Sequence, residues 1–223
     1  MYRVTDVVRH LLIINILMFL GTMLMGDPSG QVIERLVLGL DEDFSAFGRY
    51  QLAMFFPTSE YFRPFQIVTH MFMHGDITHL FFNMFALFMF GPPIESLWGP
   101  RRFLFYYLFA GVGALFLHMV ATYLEIQYFG GPGYRYNIPM LGASGAVFGL
   151  LAAFGTLFPN MRIMLLFPPI PMKAKYFVLI YAAIELYLGF SNFNSGIAHF
   201  AHLGGALFGF LLIMYWRRFG SRF

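Results

Sequence analysis

The sequence predicts an all-α membrane protein, a bundle of six transmembrane helices. Composition is the first reason. Of 223 residues, 59% are hydrophobic and only 11% are charged, against about 25% charged in soluble domains. The second reason is six apolar stretches near the roughly 20 residues that cross a bilayer. The third is an uneven distribution of Lys and Arg between alternate connections. Cysteine is absent, which excludes disulfides and thiolate metal sites. The net charge of +3 says little, because membrane proteins distribute charge by side.

The first helix is predicted at about 7–25. Its flanks resemble a secretory leader, but no small-residue cleavage site follows, so it is read as retained. Residues 27–74 mix charge with VIERLVLGL and YQLAMFFP, which predicts a structured outer loop lying at the interface. Asp41, Glu42 and Asp43 are expected to form a solvated turn. The second helix, about 77–95, follows HGDITH, where Asp76 or Thr78 can cap it. It is expected to end near the breaker Gly91-Pro92-Pro93. The third is placed at 103–124, the fourth at 142–158, the fifth at 175–190 and the sixth at 197–215. The second, fourth and fifth are short, so their ends can stop below the membrane surface. Residues 1–223 read as one membrane domain.

Counting cations sets the orientation. With the N-terminus cytoplasmic, Arg3, Arg9, Arg101, Arg102, Arg162, Lys173, Lys175, Arg217, Arg218 and Arg222 share one side. Arg35, Arg49, Arg63 and Arg135 take the other. The bias favours both termini inside, and a cell (inner or plasma) membrane is expected.

Ionisable groups inside spanning helices are costly and mark function by default. Here they are His70, His74, His79 and Asn83 around the second helix, His118 in the third, Glu185 in the fifth, and His199 and His202 in the sixth. Ser144 sits in MLGASGAVFGL. It can be a small helix contact, a helix start or a nucleophile. The fourth helix carries Gly142, Gly145 and Gly149, and the sixth Gly205 and Gly209. Small residues four apart let membrane helices approach. If those faces meet, Ser144 and His202 become neighbours, and a serine within reach of a histidine is an activated nucleophile. His199 shares the face of His202 and is the alternative base. No Asp is in place to complete a triad, so a Ser–His dyad is expected; Glu185 has no assigned role and can bond a neighbouring helix or tune the mobility of the fifth. His74, Asn83 and the Ser144 N–H could bind an oxyanion. His70, His74 and His79 could also be read as a zinc site, but no carboxylate or thiolate joins them. No metal and no cofactor is expected. His79 is read as tying the outer loop to the second helix, and His118 as packing.

At these residues the sequence resembles the rhomboid family of intramembrane serine proteases. The GxSG motif stands as Gly142-Ala143-Ser144-Gly145. The HxxxxHxxxN pattern stands as His74, His79 and Asn83, and AHxxGxxxG as Ala201, His202, Gly205 and Gly209. Glu95 and Arg63 fit the family's second-helix glutamate and outer-loop arginine. The chain departs from the pattern at Phe62, where Trp is common, and at Phe148, where Tyr often stacks on the histidine. The resemblance implies that Ser144 is the nucleophile and His202 the general base, with His74, Asn83 and the Ser144 N–H lining the oxyanion hole. It also implies membrane-protein substrates that unwind easily, cut at small residues near the outer face. Nucleic acid is not an expected partner; the lipid bilayer is. A catalytically silent relative that binds transmembrane helices is the second reading. A histidine-based transporter is the third, disfavoured because the polar groups do not cross the bilayer. The fifth helix, ending at Phe190-Ser-Asn-Phe193, is the expected lateral door.

Overall fold

The computed structural model describes residues 4–26, 30–40, 44–164, 170–191 and 199–220. Asp41–Asp43 and Phe193 lie outside them. Helices cover all six predicted segments: α1 (Asp6–Met23), α4 (Ile77–Trp98), α5 (Pro100–Tyr128), α6 (Ser144–Leu157), α7 (Ala174–Ser191) and α8 (His199–Phe219). Two short helices, α2 (Gly30–Val37) and α3 (Gln66–Thr69), fall between α1 and α4. Among the described residues, α1, α4, α5 and α8 are long and apolar enough to cross a membrane, and α6 is shorter.

The chain divides into two compact units. The first holds residues 1–9, 85–118 and 144–223. Its central element is α6, nine of whose 14 residues are buried. Small residues explain why. A Cβ added to Gly145 or Gly149 would lie 2.3 and 2.4 Å from the methyls of Ala114 and Ala110 on α5. On the α8 side, a Cβ on Gly205 would lie 1.8 Å from the Gly145 carbonyl oxygen. Backbone therefore meets backbone, the contact that small residues four apart permit. The Tyr106 hydroxyl donates to the Gly149 carbonyl at 2.7 Å, joining α5 to α6 in a buried setting.

One end of this unit gathers cations. Arg102 lies 4.3 Å over the Trp216 ring, and Arg217 donates to the Thr156 carbonyl. The first residues of α1 reach the same unit through Glu95. Its carboxylate accepts the Val7 and Val8 N–H groups at 2.9 Å each and the Thr5 hydroxyl. An anion on orphan N–H groups at a helix start is stabilising. A hairpin, β1 (Arg162–Met164) with β2 (Pro171–Lys173), connects α6 to α7.

Two expectations change here. The second helix runs through Gly91-Pro92-Pro93, as its expected range of 77–95 does, and ends later than expected, at Trp98. Consecutive prolines remove two N–H donors, but tertiary packing holds the turn. Gly91 is pressed against Val8, where a Cβ would come within 2.5 Å of Cγ2. The third helix is also longer than expected, 29 residues to Tyr128, because Glu125 is paired rather than solvated.

The second unit holds residues 10–84 and 119–143. Gln66 is fully buried and organises the loop before α4. Its amide donates to the carbonyls of Gln51 and Tyr61 and accepts the Arg63 N–H. Phe55 and Tyr61 form a small core edge to face at 5.7 Å. Met54 and Met140 exchange both backbone hydrogen bonds at 2.8 Å, and Arg135 pairs with Glu125 at 3.0 Å with little exposure.

Candidate active site

Ser144 is the first residue of α6 and is half-buried. The turn into the helix depends on Gly142, whose φ is +127°, a region that L side chains avoid. The Gly142 N–H donates to the His70 carbonyl at 2.9 Å. The motif glycine is thus required by backbone geometry, and the serine follows at a helix start.

One turn along α6, Phe148 shares the Ser144 face. The His202 ring lies flat on Phe148, with centroids 4.2 Å apart and planes within 3°. The missing tyrosine hydroxyl therefore does not prevent stacking. Together with the Gly145–Gly205 approach, this brings His202 rather than His199 to the serine's side of α6. No hydrogen bond joins Ser144 to His202 among the described residues; such contacts are commonly long until substrate binds.

Glu185, which the sequence left without a role, meets both histidines. Its Oε2 is 2.7 Å from His199 Nδ1 and 3.0 Å from His202 Nδ1. The first contact has hydrogen-bond geometry. The second has the distance but not the alignment, since His202 Nδ1 is otherwise buried without a partner. The signal for this cluster was present. A lone acid inside an apolar helix must be paired, and two histidines three apart on the next helix are suitable partners. These three residues offer one ligand atom each within 4.8 Å of one another, so they, rather than the His70, His74 and His79 group, form the strongest metal-like constellation among the described residues.

In the second unit, Asp76 rather than Thr78 caps α4, its Oδ1 accepting the His79 N–H at 2.8 Å. His79 Nδ1 accepts the Gly75 N–H, which ties the connecting stretch to α4. Asn83 is buried and its Nδ2 donates to the His79 carbonyl at 2.9 Å, so one of its two N–H bonds serves its own helix. His74 is buried with its edge toward His79 at 5.1 Å, and neither ring nitrogen has a partner. Burial, then the neighbouring His79, pushes its imidazole down to about 4. It is neutral at pH 7 and keeps one N–H to donate.

A Bos taurus protein, "Presenilin-associated rhomboid-like protein, mitochondrial", is 33% identical over 148 residues, 65% of this chain and 36% of its own length. "Rhomboid protein 1, mitochondrial" of Saccharomyces cerevisiae is 32% identical over 65% of this chain and 40% of its own. "Putative rhomboid protease YdcA" of Bacillus subtilis is 31% identical over 66% of this chain and 64% of its own. The chain thus spans little more than a third of the first of these. Two of the three names are mitochondrial, which gives no support to the expected plasma-membrane location. The Rhomboid domain family matches residues 61–219, well over half the chain. With four helices able to span a membrane, the chain is an integral multi-pass membrane protein and belongs to the rhomboid family.

Proposed function

We propose that this chain is a serine endopeptidase with six transmembrane helices, which cuts peptide bonds in or near transmembrane helices of other membrane proteins. The observation that carries this reading is the flat stack of His202 on Phe148, one turn from Ser144. A serine at a helix start, on the same helix face that the half-buried histidine stacks against, has little purpose in packing alone.

Depth supports it. A helix of 14 residues is about 21 Å long, short of the roughly 30 Å hydrocarbon layer. With its C-terminal end at the cationic side, α6 stops below the opposite surface, and Ser144 lies in the membrane where water must reach it. In the reaction, His202 Nε2 takes the Ser144 Oγ proton as Oγ bonds to the scissile carbonyl carbon. The same proton passes to the leaving amine as the C–N bond breaks. Water then attacks the acyl carbon and gives a proton to Nε2, which passes it to Oγ as the Oγ–acyl bond breaks, releasing the new carboxyl end and restoring Ser144. The carbonyl oxygen becomes negative in the tetrahedral intermediates. We assign His74, Asn83 and the Ser144 N–H to that charge. The unpartnered ring nitrogens of His74 favour this, since buried polar groups are otherwise paired.

The test is cleavage of a reporter carrying one transmembrane helix. Ser144→Ala and His202→Ala should abolish cleavage while both variants still insert and fold. Asn83→Ala should lower turnover with little change in apparent affinity, by less than the roughly hundredfold lost with a single donor in soluble hydrolases. Wild-type turnover by Ser144→Ala would overturn the reading. A wild-type protein that binds the helix without cutting it would favour the silent relative.

A further inference from the structure

We infer that Glu185 is a positioning residue for His202, so that the hydrolytic machinery is a Ser144–His202–Glu185 relay rather than a dyad; this rests on the protease reading above. Two contacts restrain the His202 ring. The Phe148 stack, parallel to within 3°, fixes the plane of the imidazole. A stacked ring can still turn within its plane, so stacking alone does not decide where Nε2 points. The Glu185 carboxylate at 3.0 Å from Nδ1 supplies the missing restraint. With Nδ1–H directed at Oε2, Nε2 is the lone-pair nitrogen and is turned away from Glu185. That is the tautomer a general base needs.

The carboxylate also has a charge argument. Glu185 is 7% exposed and is flanked by His199 and His202. Tyr181, one turn earlier on α7, packs on Phe148 at 5.5 Å. An anion held in so enclosed a place stabilises the imidazolium that forms when His202 takes the Ser144 proton. Charge interactions are stronger where water is excluded. His199 then has a separate task. Its Nδ1 lies 2.7 Å from the same Oε2, so it holds the carboxylate in place instead of acting as base. Once the His202 Nδ1–H and the carboxylate align across the 3.0 Å contact, both imidazoles can donate to the two lone pairs of one oxygen.

The test uses full-length protein in detergent or bilayers, with kcat and KM for a transmembrane reporter. The variants are Glu185→Gln, Glu185→Asp, His199→Gln and Ser144→Ala. Glu185→Gln keeps the size and an acceptor oxygen but removes the charge. We expect kcat to fall roughly 10- to 100-fold with KM within about twofold and an unchanged Tm. The loss is smaller than the about 10⁴-fold seen when a triad acid is replaced by its amide, because Phe148 still holds the ring. Glu185→Asp should recover part of kcat, and His199→Gln should lose less than Glu185→Gln. Unchanged kcat in Glu185→Gln would overturn the inference, as would a fall in Tm that accounts for the lost activity. So would activity of the wild type that a chelator removes, which would make the three residues a metal site. If Ser144→Ala retains activity, the protease reading itself fails. An inactive Ser144→Ala beside a fully active Glu185→Gln rejects the relay alone.

Discussion

At the scale of single residues, burial decides which imidazoles can carry charge. His70 is 1% exposed, donates from Nδ1–H to the Gln66 carbonyl at 2.8 Å, and accepts the Gly142 N–H on its own carbonyl. Burial lowers its imidazole to about 4, as it does for His74. The unfolded chain titrates near 6.5, so it binds protons that the folded chain refuses. The resulting stability is complete above about pH 6.5 and is lost as pH falls toward 4, by at most about 3 kcal/mol per imidazole. Melting of the purified protein at pH 7.5 and pH 5 should therefore differ more in the wild type than in His70→Gln; equal differences would show that His70 stays protonated in the fold. The motifs that single out Ser144, His202, His74 and Asn83 as candidates are each local patterns, so they are readable in the sequence. Glu185 was readable as an acid that needs a partner, but not which one, because His199 and His202 lie 14 and 17 positions away on another helix.

At the scale of elements, the contact of α6 with α8 is the part of the fold with least tolerance. A Cβ on Gly205 would lie 1.8 Å from the Gly145 carbonyl oxygen, and backbone cannot yield as a flexible side chain does. Gly205→Ala should push the helices apart, cost roughly 1–3 kcal/mol or more, and lower activity by moving His202 from Ser144. Gly21→Ala, with nothing within 4 Å of the new methyl, should change neither Tm nor activity. Equal Tm for the two variants would contradict the close packing. The small-residue spacing was readable in the sequence. The passage of α4 through Pro92 and Pro93 lay within the range read from the sequence, but its end at Trp98 did not, because the prolines argue for an earlier stop and the packing of Gly91 on Val8 holds the helix there. Phe190 at the end of α7 is 63% exposed and meets the Phe200 ring edge to face at 5.9 Å. If α7 is the door, Phe190→Ala should raise cleavage of a transmembrane substrate more than hydrolysis of a small soluble ester. Equal effects on both would remove Phe190 from any gate.

At the scale of the whole molecule, the proposal is a membrane protein with ten of its 14 Lys and Arg on one side and a nucleophile reached from the other. The natural sequence has no cysteine, so single cysteines report accessibility cleanly. Thr58→Cys and Asn160→Cys, both at exposed positions, should be labelled from opposite faces of sealed vesicles by an impermeant maleimide; labelling from one face would refute the orientation. The six helical segments were legible because apolar length is a property of the chain. The loop before α4 was legible only as structured, since Gln66 and the Met54–Met140 bridge depend on contacts distant in sequence. The most direct measurement of the central claim is to treat the purified protein with a fluorophosphonate and map the adduct by peptide mass spectrometry. The account predicts one adduct, on Ser144, lost in His202→Ala and in heat-unfolded protein. An adduct elsewhere, or a folded and cleavage-competent protein whose Ser144 is never modified, would contradict it.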